Sequence, residues 1–298
     1  MLKDKSAYLI FFALQKISLI MPKALKIALA KGLAYAFYKL HKRYYKVAKI
    51  NLDFIYEDTL TSTQKEQIIK DMFFNLAQNF GSFIENQGIS KDRLLQKVTF
   101  KNDKIFLDAL ASNRPIVFIT AHQSNWEILP LAIAAKYHPL VGVGRALKQK
   151  WLDNILKKNR EQFNIEMIDK KGAMRHMVRV VKQKKPLGLL VDQNLEGVVV
   201  DFMGKRASHT TAAAILAYKF NAIVIPCFIK RVGFEKYEAT FYEPIEVEKD
   251  DNMDNFILKH TQKQANITQE IIKKSPSEWL WIHRRWKREY PQIYKGKV

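Results

Sequence analysis

Five short apolar runs in the middle of the chain limit its fold more than any other feature. They occupy residues 116–120, 140–143, 165–168, 187–191 and 222–229. The first reads Ile116, Val117, Phe118, Ile119, Thr120 and follows Pro115. It shows no alternation of polar and apolar positions, as expected of a strand buried on both faces. Between the runs lie stretches with helical spacing: 125–136, 148–163, 172–184 and 209–220. Strand and helix in alternation predict an α/β fold with a mostly parallel sheet flanked by helices. Residues 235–247 add later strands and 252–274 a late helix. Ahead of this core, 1–56 read as helices rich in lysine and aromatics. Residues 63–88 read as a further helix, with Ser62 or Thr63 as N-cap and Gly88 as its stop. The expected organisation is a helical, membrane-anchoring region over 1–56, then one catalytic domain over 57–298. That domain comprises a helical lead-in (57–112) and the α/β core.

Charge narrows the partners. The 298 residues carry 50 Lys plus Arg against 29 Asp plus Glu, a net of +21. The excess is clustered. Residues 1–50 hold 11 basic side chains and one acid, residues 145–185 hold 13 and four, and the last 20 hold six and one. Clusters of one sign predict an anionic partner: nucleic acid, anionic lipid or a phosphorylated metabolite. In the first cluster the lysines are interleaved with apolar runs, Tyr8 to Leu14, Ile17 to Met21 and Ala24 to Tyr38. The stretch from Tyr8 to Met21 is broken by Gln15 and Lys16 and falls short of the ~20 apolar residues of a clean span. It predicts an anchor that lies in, or dips through, a membrane with an anionic face. An ordinary buried helix pair with outward lysines is the alternative. At 48% hydrophobic residues the chain is too apolar for a disordered one, and a single cysteine, Cys227, excludes an internal disulfide.

The chemistry-bearing segment is Ala121-His122-Gln123-Ser124-Asn125-Trp126-Glu127, placed where the first buried strand ends. In open α/β sheets ligands bind outside the carboxyl ends of strands. On one helix His122 and Glu127 would stand about 140° apart, so they meet only if the chain turns between them. A histidine held by a carboxylate has a fixed tautomer and a free ring nitrogen that can take a proton from a hydroxyl. The bland reading is a turn histidine beside a first-turn glutamate. Arg145 after Gly142-Val143-Gly144, Arg160 in a basic helix, Asp192-Gln193 after the fourth run, and Phe202 to Arg206 before Ser208-His209-Thr210-Thr211 all fall toward the same sheet end. Ser124 lacks a nucleophile elbow, and Cys227 sits in an apolar run as a core residue would. The seven histidines show no metal-ligand spacing, and no glycine-rich phosphate loop occurs, so no metal and no cofactor is expected.

Through these residues the chain resembles the bacterial lipid A late acyltransferases of the lysophospholipid acyltransferase superfamily. His122, Asn125, Trp126 and Glu127 are similar to that family's His-x-x-Asn-Trp-Glu block. Arg145, Arg160, Asp192-Gln193, Phe202-Met203-Gly204 and Thr210-Thr211 resemble its later motifs. Trp279, Trp281, His283, Arg285 and Trp286 resemble its C-terminal signature. One departure is that no proline follows Arg145.

The resemblance implies transfer of a fatty acyl chain from acyl carrier protein to a hydroxyl on a 3-hydroxyacyl chain of a lipid A precursor bearing Kdo sugars. It implies His122 as general base with Glu127 as the orienting carboxylate. Arg160, Asp192, Arg145 and Asn125 are implied in binding substrate or the transition state. The implied setting is the cytoplasmic face of the anionic inner membrane of a Gram-negative bacterium, with no nucleic acid as partner. A lysophospholipid or other glycerolipid acceptor is the nearest alternative. A non-catalytic basic protein that binds membrane or nucleic acid is the distant one.

Overall fold

The computed structural model describes residues 2–248 and 251–296, with side chains from residue 6. Four helices come first: α1 (Leu2–Ile20), α2 (Lys23–Leu40), α3 (Lys42–Tyr56) and α4 (Ser62–Glu85). The core follows as α5 (Lys91–Leu95), β1 (Val98–Lys101), α6 (Asp103–Ala111), β2 (Ile116–Thr120), α7 (Ile128–Lys136), β3 (Val141–Gly144), α8 (Lys150–Arg160), β4 (Glu166–Asp169), α9 (Ala173–Lys182) and β5 (Leu187–Leu190). Then come β6 (Val198–Phe202), β7 (Lys205–His209), α10 (Ala212–Phe220), β8 (Ile223–Gly233), β9 (Lys236–Phe241) and α11 (Met253–Lys274).

Seven strands form one sheet in the order β1-β9-β8-β2-β5-β3-β4. Every neighbouring pair is parallel except the β8–β9 hairpin. The unbroken apolar run of β2 has its explanation here. Ile116 and Phe118 enter the core under α6 and α7, while Val117 and Ile119 enter the opposite core under α9 and α10. Both faces are covered, so neither can be polar.

Two elements depart from the expected lead-in and helix start. β1 is a short edge strand inside 57–112. β6 and β7 form a separate antiparallel hairpin, turned at Met203-Gly204, where a helix start was expected to follow Arg206. α10 begins only after Thr211. The α4 start is close to expectation but sits at Thr61, whose hydroxyl accepts from Gln64 N–H while the Gln64 side chain accepts from Thr61 N–H. This reciprocal cap satisfies two otherwise unpaired donors.

The N-terminal helices are docked on the domain. A third core joins α2, α3 and α4 to the hairpin, α11 and the C-terminal tryptophans Trp279, Trp281 and Trp286. α1 lies on α4 through Phe11 against Phe83, and Gln15 Nε2 donates to Gln87 O at 2.6 Å. Lys26 on α2 pairs with Glu85 at 2.7 Å. Among the described residues no helix is long and apolar enough to cross a membrane. This corrects the part of the expectation that had the anchor dip through the bilayer. α1 carries Lys3, Asp4, Lys5 and Lys16 within 19 residues, too many charges for a hydrocarbon path.

Candidate active site

The site begins with strand register. β2 and β5 are parallel neighbours with Thr120 opposite Leu190, and Val191 N–H donates to Thr120 O at 3.0 Å. Two residues further along each strand, His122 therefore comes opposite Asp192. His122 Nδ1 lies 2.9 Å from Asp192 Oδ1. His122 N–H and Trp279 Nε1–H donate to Oδ2 at 3.0 and 2.8 Å. Asp192 is only 2% exposed. Burial alone would push its carboxyl up, but the charge of His122 and these three hydrogen bonds outweigh it and hold the group well below the usual carboxylate range. An ionised Asp192 accepts only, so the facing His122 nitrogen is Nδ1–H, and in the neutral imidazole this leaves the lone pair on Nε2.

The loop carrying His122 is fastened from several sides. Ser124 adopts φ +53°, which turns the chain sharply away from the strand. Its N–H donates to Glu278 O at 2.8 Å, and Asn79 Nδ2 on α4 donates to its carbonyl at 2.6 Å. Leu280 N–H donates to His122 O at 3.2 Å, so the C-terminal segment straps the loop down. Asn125 was expected to touch substrate. It is buried, donating to Ser82 Oγ at 3.0 Å and Tyr237 Oη at 3.1 Å. Its role in the fold is to tie the loop to α4 and β9.

Glu127 does not meet His122. It stands at the entry of α7, where its carboxylate takes a two-pronged ion pair from Arg160 at the end of α8. Arg160 Nε donates at 2.9 Å, and Nη2 reaches the other oxygen. Burial would pull the Arg160 guanidinium down, but Glu127 outweighs it and holds it above its ordinary value. Gly144 leaves room for this pair: a Cβ there would stand 3.0 Å from Met167 Cε and 3.3 Å from Arg160 Nη1. The sequence spacing paired His122 with Glu127; the two line the same groove, but each has a different partner. The Ser124 turn sends Glu127 toward α8, while parallel register delivers Asp192 to the histidine.

A groove of about 630 Å³ opens in front of these groups, with His122, Glu127, Arg145, Arg160, Lys170 and Gln193 in its wall. Arg145 and Lys170 are exposed. A second, almost wholly apolar space of about 90 Å³ shares Trp126, Pro130, Val143, Leu189 and Leu190 with the groove. Phe118, Gly188 and Cys227 line only this inner space. Cys227 is buried in the core, as expected, and burial pushes its thiol up. Among the described residues no cluster of His, Cys, Asp or Glu could hold a metal ion.

Two members of the site had no role assigned from sequence. The Gln193 amide lies 3.2 Å from His122 Nε2, and with the lone pair on Nε2 the amide is the donor. Trp279 holds Asp192. The available signals were the Asp-Gln dipeptide at a strand end and the tryptophan-rich C-terminus. Arg285, wholly buried and with no carboxylate in ion-pair contact among the described residues, braces the same loop: Nη1 donates to Gln193 O at 3.2 Å and also to Ser208 O, while Nη2 lies 3.0 Å from His209 Nδ1. Burial pulls the guanidinium down to about 10.

A family model described as bacterial lipid A biosynthesis acyltransferase matches residues 2–288. The chain belongs to that family. The match takes in α1 through the C-terminal tryptophans, so the site lies wholly inside it. No curated protein matches the chain. The activity class is therefore acyl transfer in lipid A biosynthesis. A half-buried His backed by a buried Asp at the edge of an amphipathic groove is suited to activating a hydroxyl for that transfer.

Proposed function

We propose that this lipid A acyltransferase moves a fatty acyl chain from acyl carrier protein onto a 3-hydroxyacyl hydroxyl of a Kdo-bearing lipid A precursor. The observation that carries the reading is the His122–Asp192 pair facing the groove. His122 Nε2 takes the hydroxyl proton as the oxygen attacks the thioester carbonyl. The carbonyl π pair moves to oxygen, then collapses and expels the carrier thiolate, which takes the proton back from Nε2. Asp192 keeps Nδ1 protonated and steadies the imidazolium between the two halves. No covalent acyl-enzyme is needed, and no cofactor enters the scheme.

The groove's composition supports an amphiphilic substrate. Arg145 and Lys170 are exposed cations suited to acceptor phosphates. Arg160 is engaged by Glu127, and the pair forms a fixed polar wall rather than a free anion clamp. The apolar space behind Trp126 suits the end of an acyl chain. The basic, apolar surface of α1 and α2 supports interfacial attachment at the cytoplasmic face of an anionic inner membrane. The basic stretch over 145–185 suits an acidic carrier protein.

The test is transfer by purified protein from C12-, C14- and C16-loaded acyl carrier protein to radiolabelled lipid A precursor, with and without Kdo. Product from wild type, lost in His122→Ala, is expected. Product from lysophospholipid alone would move the acceptor to glycerolipids. No transfer to any acceptor would overturn the reading.

A further inference from the structure

We infer that Gln193 is a catalytic residue whose side-chain amide, hydrogen-bonded to the base at rest, donates to the thioester oxyanion during transfer; the inference rests on the acyl-transfer reading above. The amide nitrogen stands 3.2 Å from His122 Nε2, on the lone pair that the acceptor hydroxyl requires. A hydroxyl must come within about 2.6–3.2 Å of that nitrogen to lose its proton, so it must displace the amide. The reacting carbonyl carbon then lies about 3–3.5 Å from the hydroxyl oxygen. The displaced amide is thus adjacent to the oxygen on which negative charge develops.

Three features favour this second position. Terminal torsions of glutamine are soft, so the N–H can be re-aimed without moving the backbone. That backbone is fixed, because Gln193 O accepts from Arg285 Nη1 at 3.2 Å and from Leu195 N–H at 2.9 Å. The nearby guanidinium of Arg160 is already committed to Glu127 by two hydrogen bonds. A donor aimed at developing charge from a fixed frame stabilises the transition state more than the bound substrate. The balance of the reaction is unchanged: the proton still travels from hydroxyl to Nε2 to thiolate, and Gln193 only donates a hydrogen bond.

The deciding variant is Gln193→Met, which keeps the length and bulk but has no donor, with Gln193→Glu beside it. Turnover at saturating substrates should fall about 10²–10³-fold in Gln193→Met with KM nearly unchanged. Gln193→Glu, which brings negative charge to the oxyanion, should fall at least as far. Wild-type turnover in Gln193→Met, or faster turnover from an uncovered base, would overturn the inference. The resting contact is read without any activity, from the ¹⁵N resonance of His122 Nε2. That resonance should move between wild type and Gln193→Met; an unmoved one would also overturn the inference. If wild-type protein transfers no acyl chain while the resonance moves, the functional reading has failed and the resting contact stands.

Discussion

Two regions of this molecule treat their unusual side chains in opposite ways. At the carboxyl edge of the sheet, a carboxylate is buried to 2% exposure and receives three hydrogen bonds. On α1 and α2, large apolar groups stand in the open: Leu9, Ile20 and Leu40 are 73, 85 and 76% exposed. Eleven of the eighteen exposed large hydrophobic side chains among the described residues belong to these two helices. Burying a charge is costly unless its partners are built in, so the sheet edge holds its chemistry inside the chain. On the attachment proposed above, these bare apolar side chains among lysines have their partner outside the chain. The difference separates reaction from attachment, and substitutions should separate them too.

The largest effect belongs to the sheet edge. His122→Ala should lower kcat about 10⁴-fold, and Asp192→Asn about 10²–10⁴-fold, in an acyl-transfer assay. Sedimentation with anionic vesicles should be unchanged in both. Loss of vesicle binding in either would break the separation. Next comes the other carboxylate. Glu127→Gln leaves the Arg160 guanidinium half-buried without its counter-charge and should cost about 3 kcal/mol of stability, read by denaturant titration. A variant as stable as wild type would show that solvent replaces Glu127 at no cost.

A smaller effect comes from another buried polar group. His260 on α11 is 1% exposed, and burial pulls its pKa from 6.5 down to about 4. The unfolded chain therefore binds its proton first on acidification, and stability falls as pH drops from about 6.5 to 4. The loss from this one group should reach about 2 kcal/mol at pH 5. His260→Gln should lessen the fall in melting temperature between pH 7 and 5, with buried His209 and His283 supplying the remainder; an unchanged slope would remove His260 from the account. The smallest effect is on the bare helices. Replacing Leu9, Ile20 and Leu40 with serine should weaken partition onto anionic vesicles by at least about tenfold, while the eight exposed apolar side chains that remain keep some binding. Turnover in detergent should stay at the wild-type value. A marked fall in melting temperature would mean that these side chains pack within the protein.

The same contrast explains what the sequence made legible. The β2 run was readable because burial on both faces leaves a local signature, and His122 was readable because it follows that run directly. The partner of His122 was not readable, because parallel register joins residues 70 positions apart and leaves no spacing motif. The local pattern favoured Glu127 instead, and only the left-handed turn at Ser124 sends that carboxylate to Arg160. The β6–β7 hairpin was hidden by the polar residues of Lys205–His209. The four-residue β1 had too few positions to show a period. Asn125 looked functional because it sits between His122 and Glu127; its amide nitrogen donates to Ser82 and Tyr237, contacts that span 43 and 112 positions and leave no local pattern.

The most direct test is the proton on His122 Nδ1, observed by NMR in wild type, Asp192→Asn and Glu127→Gln. A downfield Nδ1–H resonance should be present in wild type, persist in Glu127→Gln and disappear or move strongly upfield in Asp192→Asn. The reverse pattern, with the resonance lost in Glu127→Gln and kept in Asp192→Asn, would contradict the assignment of Asp192 as the carboxylate that holds the base.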